Sequence, residues 1–422
     1  MSLPLLWIAG LLLVAAQLLA ALPWLAVVLE RDKAKARSLT GKQRLRFGGL
    51  FLATWAGLGL LLALFLAFVQ EPERLRFWGL CYGAVLQAQL TIAGFILLAA
   101  ALARWWPRGG AVALAAFREG LRQPLFWLLA VAAVVLIAIS MFLPYLTLVP
   151  GGDFLMMKQL GYDVIMLAAS AFAVITACQS ISEEIEGRTA ITVISKPVSR
   201  RQFLLGKFWG IMLSALALAV LIGWFLQWGM YFKPLLDGEP ALDPLRDQLH
   251  PSVQWFWTVL MPAGEAASFT QGSASWWAPA LSTNLGLIMV CGQALILAAI
   301  ACALATRLPM LVNLTIILVI FFLGHLAPIL LQVSQRQQEL LLGDQPGAAS
   351  VTLDLIQFLT RLVDTVLPAM EFFHLGPAIV RDQPLELGPF ALYAVSVTLY
   401  SLLYAAIALL FGLILFEDRD LA

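Results

Sequence analysis

The chain has 422 residues, of which 61% are apolar and only 12% are charged. A soluble globular protein carries about 25% charged residues, so this composition excludes a water-soluble enzyme. The formal net charge of +1 gives phosphate groups no basic field, which excludes a nucleic-acid binder.

A helix needs about 20 apolar residues to cross the ~30 Å hydrocarbon core of a bilayer. Nine stretches meet or nearly meet this length, and none contains Asp, Glu, Lys or Arg. They are residues 3–29, 47–70, 77–103, 125–148, 164–182, 208–232, 276–306, 308–335 and 388–416. The first has no basic residue before it and is about twice as long as a signal-peptide core, so we expect it to be retained. None shows the alternation of barrel strands. The sequence therefore predicts an all-α polytopic membrane protein with about nine transmembrane helices.

The basic residues predict the orientation, because Lys and Arg favour the cytoplasmic side. With the N-terminus outside, the inner segments hold 18 basic and 9 acidic residues, and the outer segments hold 8 and 16. The inner segments are then 30–46, 104–124, 183–207, Arg307 and 417–422. We expect a protein of the plasma membrane (the bacterial cytoplasmic membrane), with its N-terminus outside and its C-terminus in the cytoplasm.

The third stretch ends in the sequence RWWPRGG, residues 104–110, whose proline and two glycines favour a break. The amphipathic residues 112–122 follow and are too short to span a bilayer. Pro124 would interrupt a helix that continued through it, so we expect a separate elbow helix along the inner surface. We divide the chain into a three-helix membrane region, 1–110, and a six-helix unit, 111–422.

Two long outer loops are predicted, at 233–275 and 336–387. Within the second, polar residues recur at helical spacing on one face of 351–367, with apolar residues on the other. This pattern predicts an amphipathic helix at the outer surface. Trp276 and Trp277, just after the first loop, are typical of the headgroup level.

The inner segment 183–207 is far longer than a plain connector needs to be. Three acids, Glu183, Glu184 and Glu186, continue the fifth span, and Gly187 is a natural helix stop. Ser199 and Gln202 fit a capping box, so a new helix should start near Arg200. The residues alone leave two interpretations open: a solvated hairpin, or a rigid element that docks a cytoplasmic partner.

The acidic cluster, the Gly-Arg-Thr turn and the run SKPVSRRQFLLGK together resemble the membrane subunit of type-2 ABC exporters. The resemblance covers about three quarters of the chain and implies an elbow helix, six spans and a coupling helix in loop 183–207. It further implies a separate ABC ATPase subunit that carries ATP and Mg²⁺, and a dimer with a second copy or a related permease. The implied coupling residues are Glu183, Glu184, Glu186, Arg188, Pro197, Ser199, Arg200 and Arg201.

The sequence carries no catalytic motif. The Gly-Lys pairs at 41–42 and 206–207 lack the upstream glycine and the following Ser/Thr of a Walker A motif. HExxH and GxSxG are absent, and the four cysteines have no metal-ligand spacing. We therefore expect no enzymatic activity, no cofactor and no metal in this chain.

Polar residues within the spans are candidates for a transport path. His325 is the one histidine within a span, and an intramembrane ionisable group is a functional candidate by default; the alternative is a structural histidine. Gln179 could also line the path, and Gln87, Gln89 and Thr176 could bond between helices. The apolar spans favour lipid-like, hydrophobic or polymeric cargo.

Two other functions compete with an ABC permease. An ion- or proton-coupled secondary transporter usually has intramembrane charges and repeated halves, and neither is found in this sequence. A structural membrane subunit without transport is opposed only by loop 183–207. An adjacent gene for an ATPase with a Walker A motif would decide between these functions.

The orientation can be tested by introducing single cysteines. Cysteines at Ser38 and Ser199 should be protected from an impermeant thiol reagent in intact cells, and one at Gly347 should be labelled. Labelling at Ser199 with protection at Gly347 would reverse the orientation.

Overall fold

A computed structural model describes residues 15–24, 46, 48–51, 53–59, 71–143, 152–186, 199–236, 265–341, 358, 367–374 and 387–417. The described residues are almost entirely helical and contain no strand. Their α-helices are α1 (Ala15–Trp24), α2 (Gly48–Gly59), α3 (Pro72–Trp105), α4 (Pro107–Arg122), α5 (Pro124–Ser140), α6 (Gly152–Glu186), α7 (Arg200–Leu236), α8 (Glu265–Ala305), α9 (Met310–Leu341) and α10 (Leu387–Glu417). A 3-10 helix lies at Met370–Phe373.

The all-α membrane architecture is confirmed, but nine transmembrane helices are not. Among the described residues, α3, α6, α7, α8 and α10 are long and apolar enough to span a bilayer. The bent pair α4–α5 makes a sixth if it counts as one span. α1, α2 and the residues Met310–Leu326 of α9 form shorter apolar helices. Most of the first two predicted stretches lies outside the described residues.

Several helices extend beyond the apolar stretches that predicted them. α6 begins at Gly152 instead of residue 164, so Asp153, Lys158 and Asp163 lie within the helix. α7 continues to Leu236 and α8 begins at Glu265, which shortens the outer loop predicted at 233–275. The reason is physical: an apolar stretch marks the thickness of the hydrocarbon, whereas a helix can continue into the polar headgroup layer. The predicted amphipathic helix at 351–367 lies outside the described residues except at Phe358 and Leu367.

The chain forms two compact units. The first comprises Met1–Trp106, Pro234–Ser282 and Gln383–Glu386. Within it, Gly79 and Gly83 of α3 meet the backbone of α8 so closely that a Cβ at Gly83 would lie 3.0 Å from the Ser273 carbonyl oxygen. Trp276 is buried and donates Nε1–H to Gln87 Oε1 at 2.7 Å, so it packs between helices and is not exposed to headgroups.

A second polar contact in the first unit joins α1 to α3. Gln17 donates to Gln89 Oε1 at 3.0 Å and accepts from the Tyr82 hydroxyl at 3.0 Å. Gln87 and Gln89, both expected to bond between helices, therefore do so. Such bonds supply association energy that hydrophobicity cannot supply between helices in lipid.

The second unit comprises Pro107–Lys233, Thr283–Asp382 and Leu387–Ala422. α6, α7 and the Thr283–Ala305 part of α8 are mostly buried, whereas α10 is mostly exposed. Small residues allow the buried helices to approach. Gly161 of α6 lies against Leu226, Gly223 of α7 lies against Leu287, and Gly412 of α10 lies against Ala303.

The predicted break before Pro124 is present. α4 and α5 are bent by 56° at Gln123, whose backbone is extended with φ −65° and ψ 136°. This conformation follows from the next residue, because proline pushes its predecessor out of the helical region. The helix before the bend begins at Pro107 instead of residue 112.

The packing of α4 on α7 can be tested at Gly210. A Cβ at this position would lie 2.5 Å from the Ala116 Cβ, so Gly210→Leu should overpack the contact and cost about 1–3 kcal/mol. We expect a lower thermal unfolding midpoint in detergent. Gly94→Leu is the matched control, because nothing lies within 4 Å of a Cβ there. Equal midpoints for the two variants would contradict the packing.

Candidate functional site

The start of α7 is fixed by the predicted capping box. Ser199 Oγ accepts from the Gln202 backbone N–H at 3.2 Å, and Gln202 Oε1 accepts from the Ser199 backbone N–H at 3.2 Å. These reciprocal bonds satisfy two backbone donors that a helix start leaves without partners. The helix begins at Arg200, as predicted, so the chain that leaves loop 183–207 has a defined direction.

About two turns further along α7, Lys207 is a buried cation with three partners. Its side chain is 6% exposed, and Nζ lies 2.6 Å from Glu184 Oε1 and 3.3 Å from Glu119 Oε2. It also donates to Ser180 Oγ at 2.9 Å. An ammonium has three N–H donors, and each has an oxygen here. Because an unpaired buried charge is costly, these partners determine where the side chain can be.

The partners of Lys207 come from different helices. Ser180 and Glu184 lie on α6, the helix that leads into loop 183–207, and Glu119 lies on α4. Lys207 itself lies on α7, the helix that leads out of the loop. One side chain therefore joins both flanks of the loop to the elbow helix. We call Glu119, Ser180, Glu184 and Lys207 the inner frame.

Close packing of α4 on α7 brings Glu119 within reach of Lys207. A Cβ at Gly206 would lie 2.8 Å from both the Gly109 carbonyl oxygen and the Val112 Cβ. Gly206 and Gly210 form a G-x-x-x-G pattern, which allows helix backbones to approach. From the sequence, Lys207 counted only toward the excess of basic residues on the inner side, and Glu119 and Ser180 were not identified as its partners. The glycine pattern is the signal that could have indicated the contact between α4 and α7.

Three arginines bind the C-terminal end of α10. Arg200 Nη1 donates to the carbonyl oxygens of Phe416 at 2.9 Å and Glu417 at 3.1 Å. Arg201 donates to Glu417 Oε1 from Nε at 3.0 Å and from Nη2 at 2.7 Å. Arg307 Nε donates to the Leu415 carbonyl oxygen at 2.8 Å. The last carbonyls of a helix lack intrahelical partners and carry partial negative charge, so cations suit this end.

The described members of the predicted coupling set have different surroundings. Glu183 is exposed, whereas Glu184 is directed at Lys207 and its side chain is only 28% exposed. Ser199 caps α7, and Arg200 and Arg201 bind α10. Arg188, Pro197 and the side chain of Glu186 lie outside the described residues. The assignment of all eight to ATPase coupling stays a prediction.

These contacts bring together residues from four of the five segments that were predicted to share the inner side; the fifth, 30–46, lies outside the described residues except at Arg46. The ends of α4, α6 and α10, the start of α7 and the turn at Arg307 contact one another in the second unit. The contacts fix which helix ends lie together, and the direction across the membrane stays a prediction from the basic residues.

The two candidate path residues lie in different surroundings, and neither belongs to the inner frame. Gln179 is half-buried on α6, one position before Ser180. His325 is half-buried on α9, with Nδ1 2.8 Å from the Phe321 carbonyl oxygen and its ring 4.4 Å from the Phe321 ring. A bond to the preceding turn of its own helix favours the structural interpretation.

His325→Gln tests whether this histidine gates transport. An amide N–H can replace the bond to Phe321, so we expect transport to be retained, with an unchanged profile between about pH 5 and 8. Transport assays in vesicles across this range provide the measurement. A profile that flattens in the variant would instead assign the gating proton to His325.

Residues 110–421 match the family described as ABC-2 family transporter protein. No curated protein matches the chain. The match covers well over half of the sequence, and membership implies association with an ABC ATPase. Together with its apolar helices, it shows that the chain belongs to the ABC-2 transporter family and is an integral membrane permease.

Proposed function

We propose that this chain is the transmembrane permease of an ATP-driven exporter and docks a separate ATPase subunit through loop 183–207. The observation that carries the proposal is the inner frame, in which Lys207 joins the two helices that flank the loop to α4. The loop faces the cytoplasm, and the permease works as a dimer with a second copy or a related permease.

The inner frame suits the transmission of force. A partner that pulls on a loop does work on the spans only if the flanking helices move with the loop. The buried Lys207 holds Ser180 and Glu184 of α6, so α6 and α7 respond together. Glu119 adds α4 to the same group. A packed network with defined partners carries coupling in the way that loose side chains cannot.

A second connection extends the moving group to the last helix. Arg200 and Arg201 follow the capping serine directly and bind the end of α10. A displacement at the start of α7 therefore reaches α10 through charge-assisted bonds, which are stronger than neutral ones. The ATPase stroke would thus move helices at both edges of the loop and the final helix of the second unit.

Of the two loop acids whose side chains the structure describes, Glu183 is the better placed to meet the ATPase. It is exposed at the end of α6. The neighbouring Glu184 is instead paired with Lys207. Charged groups at an interface give register and rate of association. Cargo is expected to be lipid-like, hydrophobic or polymeric, because the spans are apolar.

Docking can be tested by Glu183→Lys. If the carboxylate pairs with a buried cation of the ATPase, reversal should weaken association by about 2–5 kcal/mol. Pull-down of the ATPase and ATP turnover should fall together. Glu73→Lys is the matched control, because Glu73 is also an exposed acid at a helix end and is predicted to be on the outer side. Full retention of partner and turnover by Glu183→Lys would support the solvated hairpin instead.

Transmission is tested separately by Lys207→Met. Removing one partner of a buried ion pair costs about 3–5 kcal/mol, and the half-exposed Glu119 favours the low end of this range. We expect a lower unfolding midpoint and loss of transport, while the ATPase still binds through the unchanged Glu183 surface. Lys207→Arg, which keeps the charge, should recover most of the transport. Normal transport by a folded Lys207→Met chain would remove the inner frame from the mechanism.

A further inference from the structure

Residues 367–374 insert into the helices of the second unit at the end opposite to the inner frame. Met370 and Phe373 are fully buried. A Cβ at Gly292 would lie 2.7 Å from Phe373 Cε1, and one at Gly324 would lie 2.8 Å from Met370 Cγ. Gly292 is near the middle of the Thr283–Ala305 span. A segment of the predicted outer loop 336–387 therefore reaches well into the bundle, and we call it the inserted segment.

Neutral hydrogen bonds attach the inserted segment to α10. The Ala369 backbone N–H donates to the Tyr400 hydroxyl at 3.0 Å, and the Tyr393 hydroxyl donates to the Phe372 carbonyl oxygen at 2.9 Å. Each bond joins a hydroxyl to a backbone group, so neither is an ion pair. They hold the side of the segment that faces α10.

A titratable contact holds the other side. His374 Nδ1 lies 3.7 Å from Asp163 Oδ1 on α6, and its ring lies 5.4 Å from the His325 ring on α9. Among the described residues, Glu371 of the inserted segment also acts on the charge of His374, and Tyr393 and Tyr400 of α10 bond to the same segment. Asp163 and His374 are an ion pair only while His374 is protonated.

We propose that His374 and Asp163 form a proton-dependent latch, which fixes the inserted segment to α6 and closes this end of the second unit. Opening of the latch frees the side of the segment that faces α6 and α9, while the tyrosine bonds keep it attached to α10. The latch is a property of the chain itself and does not depend on ATPase docking. With the orientation proposed from the basic residues, this end of the second unit lies outside the cell, and the latch would respond to the pH there.

The sign of the pH dependence follows from the charge of the partner. The Asp163 carboxylate raises the pKa of His374, partly opposed by burial. A group whose pKa is raised in the folded protein adds stability below its ordinary value, about 6.5 for histidine, and loses it as the pH rises through the raised pKa. The latch is therefore closed in mild acid and opens as the pH rises through this raised pKa.

Hydrogen–deuterium exchange of the full-length chain in nanodiscs tests the latch. Protection of a peptide that covers 367–374, corrected for the intrinsic pH dependence of exchange, is measured at pH 6, 7 and 8. We expect wild-type protection to fall about two- to fivefold from pH 6 to 8, as suits a half-exposed pair. His374→Gln and Asp163→Asn should each abolish the pH dependence and leave the peptide at the low protection that the wild type shows at pH 8. The double variant should lose no further protection.

Two controls separate the latch from general effects. His325→Gln should retain the pH dependence, because His325 is near His374 but does not form the pair. A peptide from α7, which is mostly buried and does not contain a latch residue, should show constant protection. A flat wild-type profile overturns the proposal without any variant, and so does a His374→Gln chain that keeps the wild-type dependence. None of these measurements uses the ATPase, so failure of the latch and failure of the docking proposal are distinguishable.

Discussion

The arrangement of the second unit depends on the burial of one cation, Lys207. A lysine that is 6% exposed must have partners for its charge and for all three of its donors. Ser180, Glu184 and Glu119 supply these partners from two other helices. Hydrophobic association is weak between helices in lipid, so this polar contact specifies which helices lie together at this end. It also specifies their relative heights, because each oxygen must lie within about 3 Å of one nitrogen atom.

Such a contact forms only where backbones can approach, and small residues provide for this. Gly206 and Gly210 bring α4 against α7, and a side chain at either position would push Glu119 away from Lys207. The bend at Gln123 then turns the chain from α4 into α5. Pro124 produces the bend by local sterics, and the glycines position the preceding helix. The elbow therefore needs both a local signal and a tertiary contact.

The same distinction explains what the sequence could predict. The Ser199–Gln202 box and the break before Pro124 are local, because the residues that form them lie within three positions of each other, and both were predicted. The role of Glu184 depends on Lys207, 23 positions away, and a pattern of adjacent acids could not distinguish it from the exposed Glu183. Helix lengths were underestimated because hydropathy reports hydrocarbon thickness. The insertion of Met370 and Phe373 was not predicted. A short segment that packs against glycines of α8 and α9, far from it in the sequence, leaves no periodic pattern.

α6 carries two ionic contacts: Glu184 with Lys207 near its C-terminal end, and Asp163 with His374 about a third of the way along the helix. About 20 residues of continuous helix, or about 30 Å, separate the two. If loop 183–207 docks the ATPase as proposed, a displacement of Glu184 is carried along this continuous helix and changes the distance between Asp163 and His374. Linkage requires the reverse as well: if the stroke weakens the latch, loss of the His374 proton must favour the state that the stroke produces. The energy available to this coupling is bounded by the half-exposed latch, about 1 kcal/mol at most. Protonation of the proposed latch can therefore bias this end of the second unit by a few-fold but is too weak to drive transport, which agrees with a family whose members associate with an ABC ATPase.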